Sequence, residues 1–369
     1  MNDDIEYKPE LIKLDPEVAN DDLSQEILKR CPASEVSVAE PEQIKDEIKT
    51  FDPTLFHIYK KRLFVTHQKG KFLKKCPGTQ NYICCGYKIL NIGDGCNYDC
   101  KFCALQSYIN KPFITIYTNL NDLEYEMRDE LETHPDRFYR IGTGEFTDSL
   151  SLELLNHYSE NLIRFFQGYK NCILELKTKS VNIDFLLQKP AQENIIVSFS
   201  LNSHKMAELN EDYAPSIDMR IKAAKMCQEH GYRVGFHFDP IIYYKGWKEG
   251  YQEVIDSLFH DIDSSRIPWI SLGAFRYQPI LKKIVKLRFP EADITSGEFF
   301  PGLDNKMRYF KPVRLELFSI INEMIKIHDE NSTVYLCMES PDVWNKSLKF
   351  EKMNDGKLSR MLDNKAMDM

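Results

Sequence analysis

From about residue 86 onward the chain alternates short apolar runs with charged amphipathic stretches, and this alternation constrains the fold more than any other feature. The runs are YKILNIG, FITIYT, RFYRIGTG, CILELKTK, NIIVSFSLN, RVGFHFDPII and WISLGAFR, with TVYLCME late in the chain. Helical spacing fills the gaps at 120–133, 152–167, 217–230, 247–259 and 313–328. Strands separated by helices predict a parallel sheet, because a parallel pair needs a crossover long enough to hold a helix. About six such units suit an α/β fold of the partial (β/α)6 TIM-type barrel class, with a doubly wound open sheet as the alternative that periodicity leaves standing.

Ahead of the barrel lies a different kind of sequence. Residues 1–50 hold 14 acidic against 6 basic side chains, so this stretch alone carries the net charge of −8. It reads as an acidic N-terminal extension, partly disordered, with one short helix near Asp22–Arg30. A basic lead-in follows over 51–85, in which residues 60–75 (KKRLFVTHQKGKFLKK) carry seven positive charges and no negative one. A second basic run, Lys282, Lys283, Lys286 and Arg288, has helical spacing. Such runs suit either a phosphate backbone or a solvated face. The expected division is therefore 1–50, 51–85, a barrel over 86–300, and a C-terminal segment 301–369 that adds one strand and a helix.

The longest apolar stretches, such as 195–201, are far short of the roughly 20 residues that span a bilayer, so no membrane partner is expected. The acidic start lacks the order of a secretory signal, which points to a cytoplasmic, reducing compartment. Ten cysteines in 369 residues are too sparse for a disulfide scaffold and direct attention to their spacing.

In GCNYDCKFCALQ, Cys96, Cys100 and Cys103 stand as C-x3-C-x2-C directly after the first barrel strand. Three thiolates on one loop suit a cubane iron-sulfur cluster whose fourth iron has no protein ligand, and an open iron binds a small molecule. The competing reading is a structural zinc site, which is usually closed by four ligands; Cys84 and Cys85 are the candidates for the fourth. A binding module without catalysis is the corresponding non-enzymatic class.

The motif and its place after the first strand resemble the radical S-adenosylmethionine (radical SAM) enzymes. That resemblance implies a 4Fe-4S cluster on Cys96, Cys100 and Cys103, with S-adenosyl-L-methionine chelating the fourth iron. Reductive cleavage of the sulfonium would then release a 5'-deoxyadenosyl radical. It also implies an electron donor such as flavodoxin or ferredoxin, and an aromatic contact to adenine from Phe102. Gly142, Gly144 and Glu145 in RIGTGE resemble the Gly-Gly-Glu motif that contacts the methionine amino group, where glycine permits close approach and a carboxylate accepts from an ammonium. Lys179, Ser198, Ser200 and Asn202 fall at barrel strand ends, where cofactor contacts concentrate. His237 and Asp239 occupy a further strand end, Tyr243 and Tyr244 the loop beyond it, and Cys337 and Glu339 the late strand.

Over residues 80–300 the chain is most similar to the spore photoproduct lyase family. The shared pieces are CxxCxLQ with Leu105 and Gln106, LKTKS, SFSLNS, APSIDMRIKAAKMCQEHGYRVGF and DPIIYYKGWKEGY. Within this unit the resemblance implies a cofactor-side polar role for Arg220, with a buried, partner-bonded arginine as the alternative. The resemblance implies a lyase acting on a thymine photoproduct in DNA. Two departures stand out. The lyases' hydrogen-donor cysteine falls here at Glu145 or Phe146, and the tyrosines flanking their third cluster cysteine are Phe102 and Ala104. Cys84, Cys85, Cys227 and Cys337 are the replacement candidates. The alternative is a radical enzyme of the same family acting on another nucleotide, a peptide or a small molecule.

Overall fold

The computed structural model describes residues 7–76 and 81–367. Its main sheet has eight strands, and seven of them run parallel in chain order across it: Lys88–Leu90, Tyr139–Gly142, Cys172–Thr178, Ile195–Ser200, Arg233–Ile241, Ile270–Ala274 and Val334–Leu336. Leu73–Lys75 adds an antiparallel edge beside Lys88–Leu90. The first six parallel strands are those of the partial barrel, and the late strand extends it past Ile270–Ala274. Ile195–Ser200 is buried at all six residues, as a parallel strand covered on both faces must be.

The helices follow from apolar spacing. In Leu120–Thr133 the buried residues are Leu123, Met127 and Leu131, one helical turn apart. Lys311–His328 buries Leu317, Phe318, Ile321, Met324 and Ile325, and Trp247–Asp261 buries Trp247, Tyr251, Val254, Ile255 and Leu258, at the same helical spacing. The single helix expected over 152–167 is two, Glu153–Asn156 and Tyr158–Phe166. His157 breaks it with a left-handed backbone, φ 48°. The buried Glu153 carboxylate then turns back to accept from the N–H groups of Ser159 at 2.8 Å and Glu160 at 3.0 Å, capping the second helix.

Two expectations give way here. FITIYT was counted with the barrel strands, yet Ile114–Tyr117 lies in a second, five-stranded sheet. It pairs in parallel with Arg62–Thr66 and antiparallel with Gly93–Asp94. Alternation reports that a segment is a strand and says nothing of which sheet receives it. The acidic N-terminal segment, expected to be partly disordered, forms the rest of that sheet over its described part: Leu11–Leu14 sits between Glu35–Val38 and Arg62–Thr66. Ile12, Leu14, Val18 and Ile27 are buried, enough apolar anchors to fold a stretch whose charges stay outside. Residues 1–6 of that segment lie outside the described residues. No described helix is long and apolar enough to cross a membrane.

Candidate functional site

The three-cysteine loop leaves the end of Lys88–Leu90 and is held on every side. Gly93 pairs with Ile116 so closely that a Cβ would stand 2.5 Å from the Thr115 carbonyl oxygen. Gly95 follows with φ +95° and donates to the Phe146 carbonyl at 2.8 Å. Asp99–Cys100 then forms a short antiparallel ladder with Glu211–Asp212, Cys100 facing Glu211. From below, the Lys60 ammonium donates to the carbonyls of Cys96, at 2.7 Å, and Tyr98. From the far side Arg288 forks between Asp99, at 2.6 Å, and the Gln106 amide oxygen. The Gln106 amide nitrogen passes that grip on to the Cys100 carbonyl at 3.0 Å.

This arrangement revises both basic runs. Lys60 and Arg288 were read as parts of a cationic surface, yet both side chains are buried and serve the cysteine loop. Lys61 pairs with Glu10 at 2.6 Å, and Lys69 lies 3.9 Å from Glu17. Lys71, Lys75, Lys283 and Lys286 remain exposed. Replacing Arg288 by Lys keeps the charge and loses the fork that spans Asp99 and Gln106. We expect a loss of about 2 kcal/mol in urea unfolding, with the cysteine loop the first segment to gain hydrogen exchange. A variant as stable and as protected as wild type would show that the fork holds nothing.

Cys96, Cys100 and Cys103 are near enough for each thiol's charge to act on the others. Burial pushes Cys96 up to about 12, with Asp148 adding to the rise and Lys60 opposing it. Burial also carries Cys100 well above its ordinary range, against the pull of Lys179. Among the described residues no three His, Cys, Asp or Glu side chains converge as ligands of a single ion. A cubane's thiolates bind separate iron atoms, so three cysteines on one loop can serve it. The donor set therefore fits an iron-sulfur cluster: three soft ligands, a cation beside Cys100, and the Tyr98 N–H directed at the Cys96 sulfur.

Lys179 lies over the Phe102 ring at 5.7 Å, so two expected cofactor residues share one wall. Burial pulls the Lys179 ammonium down, and Glu211 with Cys100 more than offsets it, leaving the group above its ordinary value. Asp148, which sequence reasoning passed over, fixes this wall. Its carboxylate accepts from the Thr178 hydroxyl at 2.6 Å, from the Lys179 N–H at 2.7 Å, and from the N–H groups of Leu150 and Ser151. The loop carrying Gly144 and Glu145 is thereby latched to the end of Cys172–Thr178. Glu145 faces Lys177, whose ammonium also senses Asp239 and Cys337.

Other expected contacts are committed to the protein itself. Gly142 is required because a Cβ there would stand 1.4 Å from the Tyr87 hydroxyl, so the close approach belongs to a tyrosine and not to a ligand. Gly144 presses against the Lys177 carbonyl, 2.6 Å from the same construction. Ser198 donates to Glu175 at 2.5 Å, and His237 and Trp269 bind the same carboxylate oxygen at 2.9 and 3.0 Å. Asn202 donates to the Pro240 carbonyl and accepts from the Tyr251 hydroxyl at 2.7 Å. Arg220 is wholly buried, paired with Glu211 at 2.6 Å and donating to the carbonyls of Pro215 and Ser200. These residues build the wall from behind. Asp239 forms a two-pronged pair with Arg276 at 3.1 and 3.2 Å. Tyr243 packs against Trp247 and Tyr309, while Tyr244 lies under Lys205. A cleft of about 640 Å³ is lined wholly by residues between His204 and Arg220 and contains none of the cysteines.

Known proteins share this architecture. A family model described as spore photoproduct lyase matches residues 7–301. The spore photoproduct lyase of Geobacillus sp. (strain Y412MC61) is 23% identical over 299 residues, covering 79% of this chain and 86% of its own length. That of Clostridium acetobutylicum is 22% identical over 253 residues, covering 68% and 71%. Among solved structures, a spore photoproduct lyase mutant with dinucleoside spore photoproduct superposes with a TM-score of 0.80 at 22% identity, covering 90% of this chain and 99% of that one. A double mutant with bound AdoMet and the same dinucleoside gives 0.78 at 22%, covering 89% and 99%. At this identity the superpositions speak for the partial barrel, and the family match speaks for the chemistry. This chain belongs to the spore photoproduct lyase family and is a radical SAM enzyme that uses a 4Fe-4S cluster and S-adenosyl-L-methionine.

Proposed function

We propose that the chain repairs a thymine photoproduct in DNA, with Cys96, Cys100 and Cys103 as cluster ligands and an external donor such as flavodoxin or ferredoxin supplying the electron. The observation that carries this reading is the thiol triplet at the end of the first barrel strand, in a chain matching the lyase family from residue 7 to 301. When bound, the cluster and S-adenosyl-L-methionine supply a 5'-deoxyadenosyl radical that abstracts hydrogen from the substrate. The chain's own residues position and desolvate. On this reading Phe102 and Lys179, whose ammonium lies 5.7 Å from the ring centroid, contact the cofactor together with Gly144, Glu145 and Ser200. Gly142, Ser198, Asn202 and Arg220 keep the wall behind them in place through their protein partners. A lesion base must leave the helix to reach such an interior, which calls for a grip on the backbone. Lys71, Lys75, Lys283 and Lys286 are the exposed cations that support it.

A second reading has its own observation. By the resemblance, the lyases' hydrogen-donating thiol falls at Glu145 or Phe146 in this chain, and neither side chain releases a hydrogen atom as a thiol does. The same radical would then act on another nucleotide, a peptide or a small molecule. One anaerobic experiment separates the two: reconstituted chain with S-adenosyl-L-methionine, dithionite and an oligonucleotide bearing the spore photoproduct, following lesion and 5'-deoxyadenosine by mass spectrometry. We expect two thymines to be restored. Deoxyadenosine formed with the lesion intact would move the assignment to the second reading.

A further inference from the structure

The barrel interior carries two polar layers. The lower one gathers on Glu175. Side chains alternate along a strand, so Lys177 follows Glu175, Asp239 follows His237 and Cys337 follows Tyr335 on the same interior face, one step nearer the strand ends. The Cys337 N–H donates to the Leu272 carbonyl at 2.9 Å, carrying the ladder of Val334–Leu336 one residue further. Beside it Gly273 leaves room for Asp239, whose carboxyl carbon would stand 2.5 Å from a Cβ built there. Arg276 ties this upper layer together, gripping the Asp239 carboxylate at 3.1 and 3.2 Å and donating to the Cys337 sulfur at 3.4 Å.

The lower layer is closed and the upper one is open. Glu175 and His237 are buried, whereas the side chains of Asp239 and Arg276 keep 19% and 12% exposure and Cys337 is partly exposed. The Lys177 ammonium makes no hydrogen bond or ion pair among the described residues, although Glu145, Asp239 and Cys337 all act on its charge. A cation set deep in a recess without a partner calls for an acceptor brought from outside, such as a pyrimidine carbonyl. Gly144 presses on the backbone of Lys177, so the loop of Glu145 and Phe146 borders the same recess. That loop is where the resemblance places the lyases' hydrogen-donating thiol.

We propose that Cys337 supplies this hydrogen atom, from the end of Val334–Leu336. The assignment rests on the repair of a thymine photoproduct. The other candidate cysteines are differently engaged. Cys227 is wholly buried on the helix Ile217–Glu229. The hydrogen bond from Cys85 holds Cys84 down at about 7, so much of Cys84 is thiolate with no hydrogen to give, and the Cys85 S–H is committed to that bond. Cys337 has the opposite character. Burial pushes it up to about 12, against the pull of Arg276, and the thiol keeps its hydrogen at neutral pH. In the transfer the S–H bond breaks homolytically, the hydrogen atom forms a C–H bond on the product radical, and a thiyl radical stays on Cys337. An electron from the reduced flavodoxin or ferredoxin and a proton from solvent restore the thiol.

The test is the anaerobic repair assay run in D2O, where thiols carry deuterium. In wild type we expect each restored pair of thymines to gain a deuterium from solvent. Cys337→Ala and the near-isosteric Cys337→Ser should still cleave S-adenosyl-L-methionine, while deuterated thymine falls at least about tenfold. With S-adenosyl-L-methionine withheld, reconstituted Cys337→Ser should bind the lesion oligonucleotide with wild-type affinity by fluorescence anisotropy, whereas a merely structural role would weaken it. Deuterated thymine at the wild-type yield from Cys337→Ser would overturn the assignment. So would wild-type thymine free of deuterium, or a Cys337→Ser chain whose lesion binding or cofactor cleavage falls in step with repair. Deoxyadenosine released by wild type with the lesion intact would instead overturn the repair reading beneath it.

Discussion

Replacing Cys100 by Ala should leave a folded chain that no longer cleaves S-adenosyl-L-methionine, with the rate falling at least about 10³-fold, or about 4 kcal/mol in the barrier. The backbone around Cys100 is secured by groups the substitution leaves in place. The ladder to Glu211, the Lys101 N–H on the Asn210 carbonyl at 2.8 Å, and the Gln106 amide on the Cys100 carbonyl all persist. What is lost is one of three thiols, and a cubane kept by two protein ligands no longer presents a single open iron. Cys96→Ala and Cys103→Ala should behave alike, whereas Cys172→Ala, at the start of Cys172–Thr178, and Cys227→Ala, buried on the helix Ile217–Glu229, should cleave at the wild-type rate. The measurement is 5'-deoxyadenosine formation with dithionite, beside circular dichroism of each variant. Cleavage at the wild-type rate by any of the three would remove that residue from the ligand set.

That triplet was legible in the sequence because ligand spacing on one loop is local information. So were the helices, since Leu123, Met127 and Leu131 repeat at one turn. The assignments that failed depended on distant partners. Lys60 and Arg288 look alike in sequence to their exposed neighbours Lys61 and Lys286, and only the fold brings them to Tyr98 and Asp99, 38 and 189 positions away. A run of charge is a linear property, whereas burial of one member is not. Ile114–Tyr117 was correctly a strand and wrongly a barrel strand for a similar reason, its partner Arg62–Thr66 lying in a segment read as a basic lead-in. Asp148 had a faint local signal, an acid followed by SLS at a strand-to-helix turn, the pattern in which a carboxylate collects successive N–H groups.

Glu175 had no signal at all, and it carries the second large effect. One acid in the apolar strand Cys172–Thr178 is bound by Ser198, His237 and Trp269, which lie 23, 62 and 94 residues away, and by the Tyr87 hydroxyl. Glu175→Ala strips four buried polar groups of their shared acceptor, and we expect a loss of about 3 to 5 kcal/mol in urea unfolding. Glu175→Gln keeps the volume and should lose about 2 kcal/mol, since a neutral amide oxygen accepts more weakly than a carboxylate.

The pH dependence has a definite sign. Burial pushes the Glu175 carboxyl up, but His237, Ser198 and Trp269 together hold it down at about 2, against an ordinary value of 4.5. A carboxyl with a lowered folded pKa stabilises the fold above its unfolded value and loses that contribution as pH falls toward the folded one. Between about pH 4.5 and pH 2, wild type should therefore lose about 3 kcal/mol that Glu175→Gln does not, the difference between the two isolating this group from every other acid. Parallel stability curves for the two proteins over that window would mean that the carboxylate is not the ionised centre of the barrel. The barrel interior would then owe its order to apolar packing alone, and Ser198 and His237 would be free for other partners.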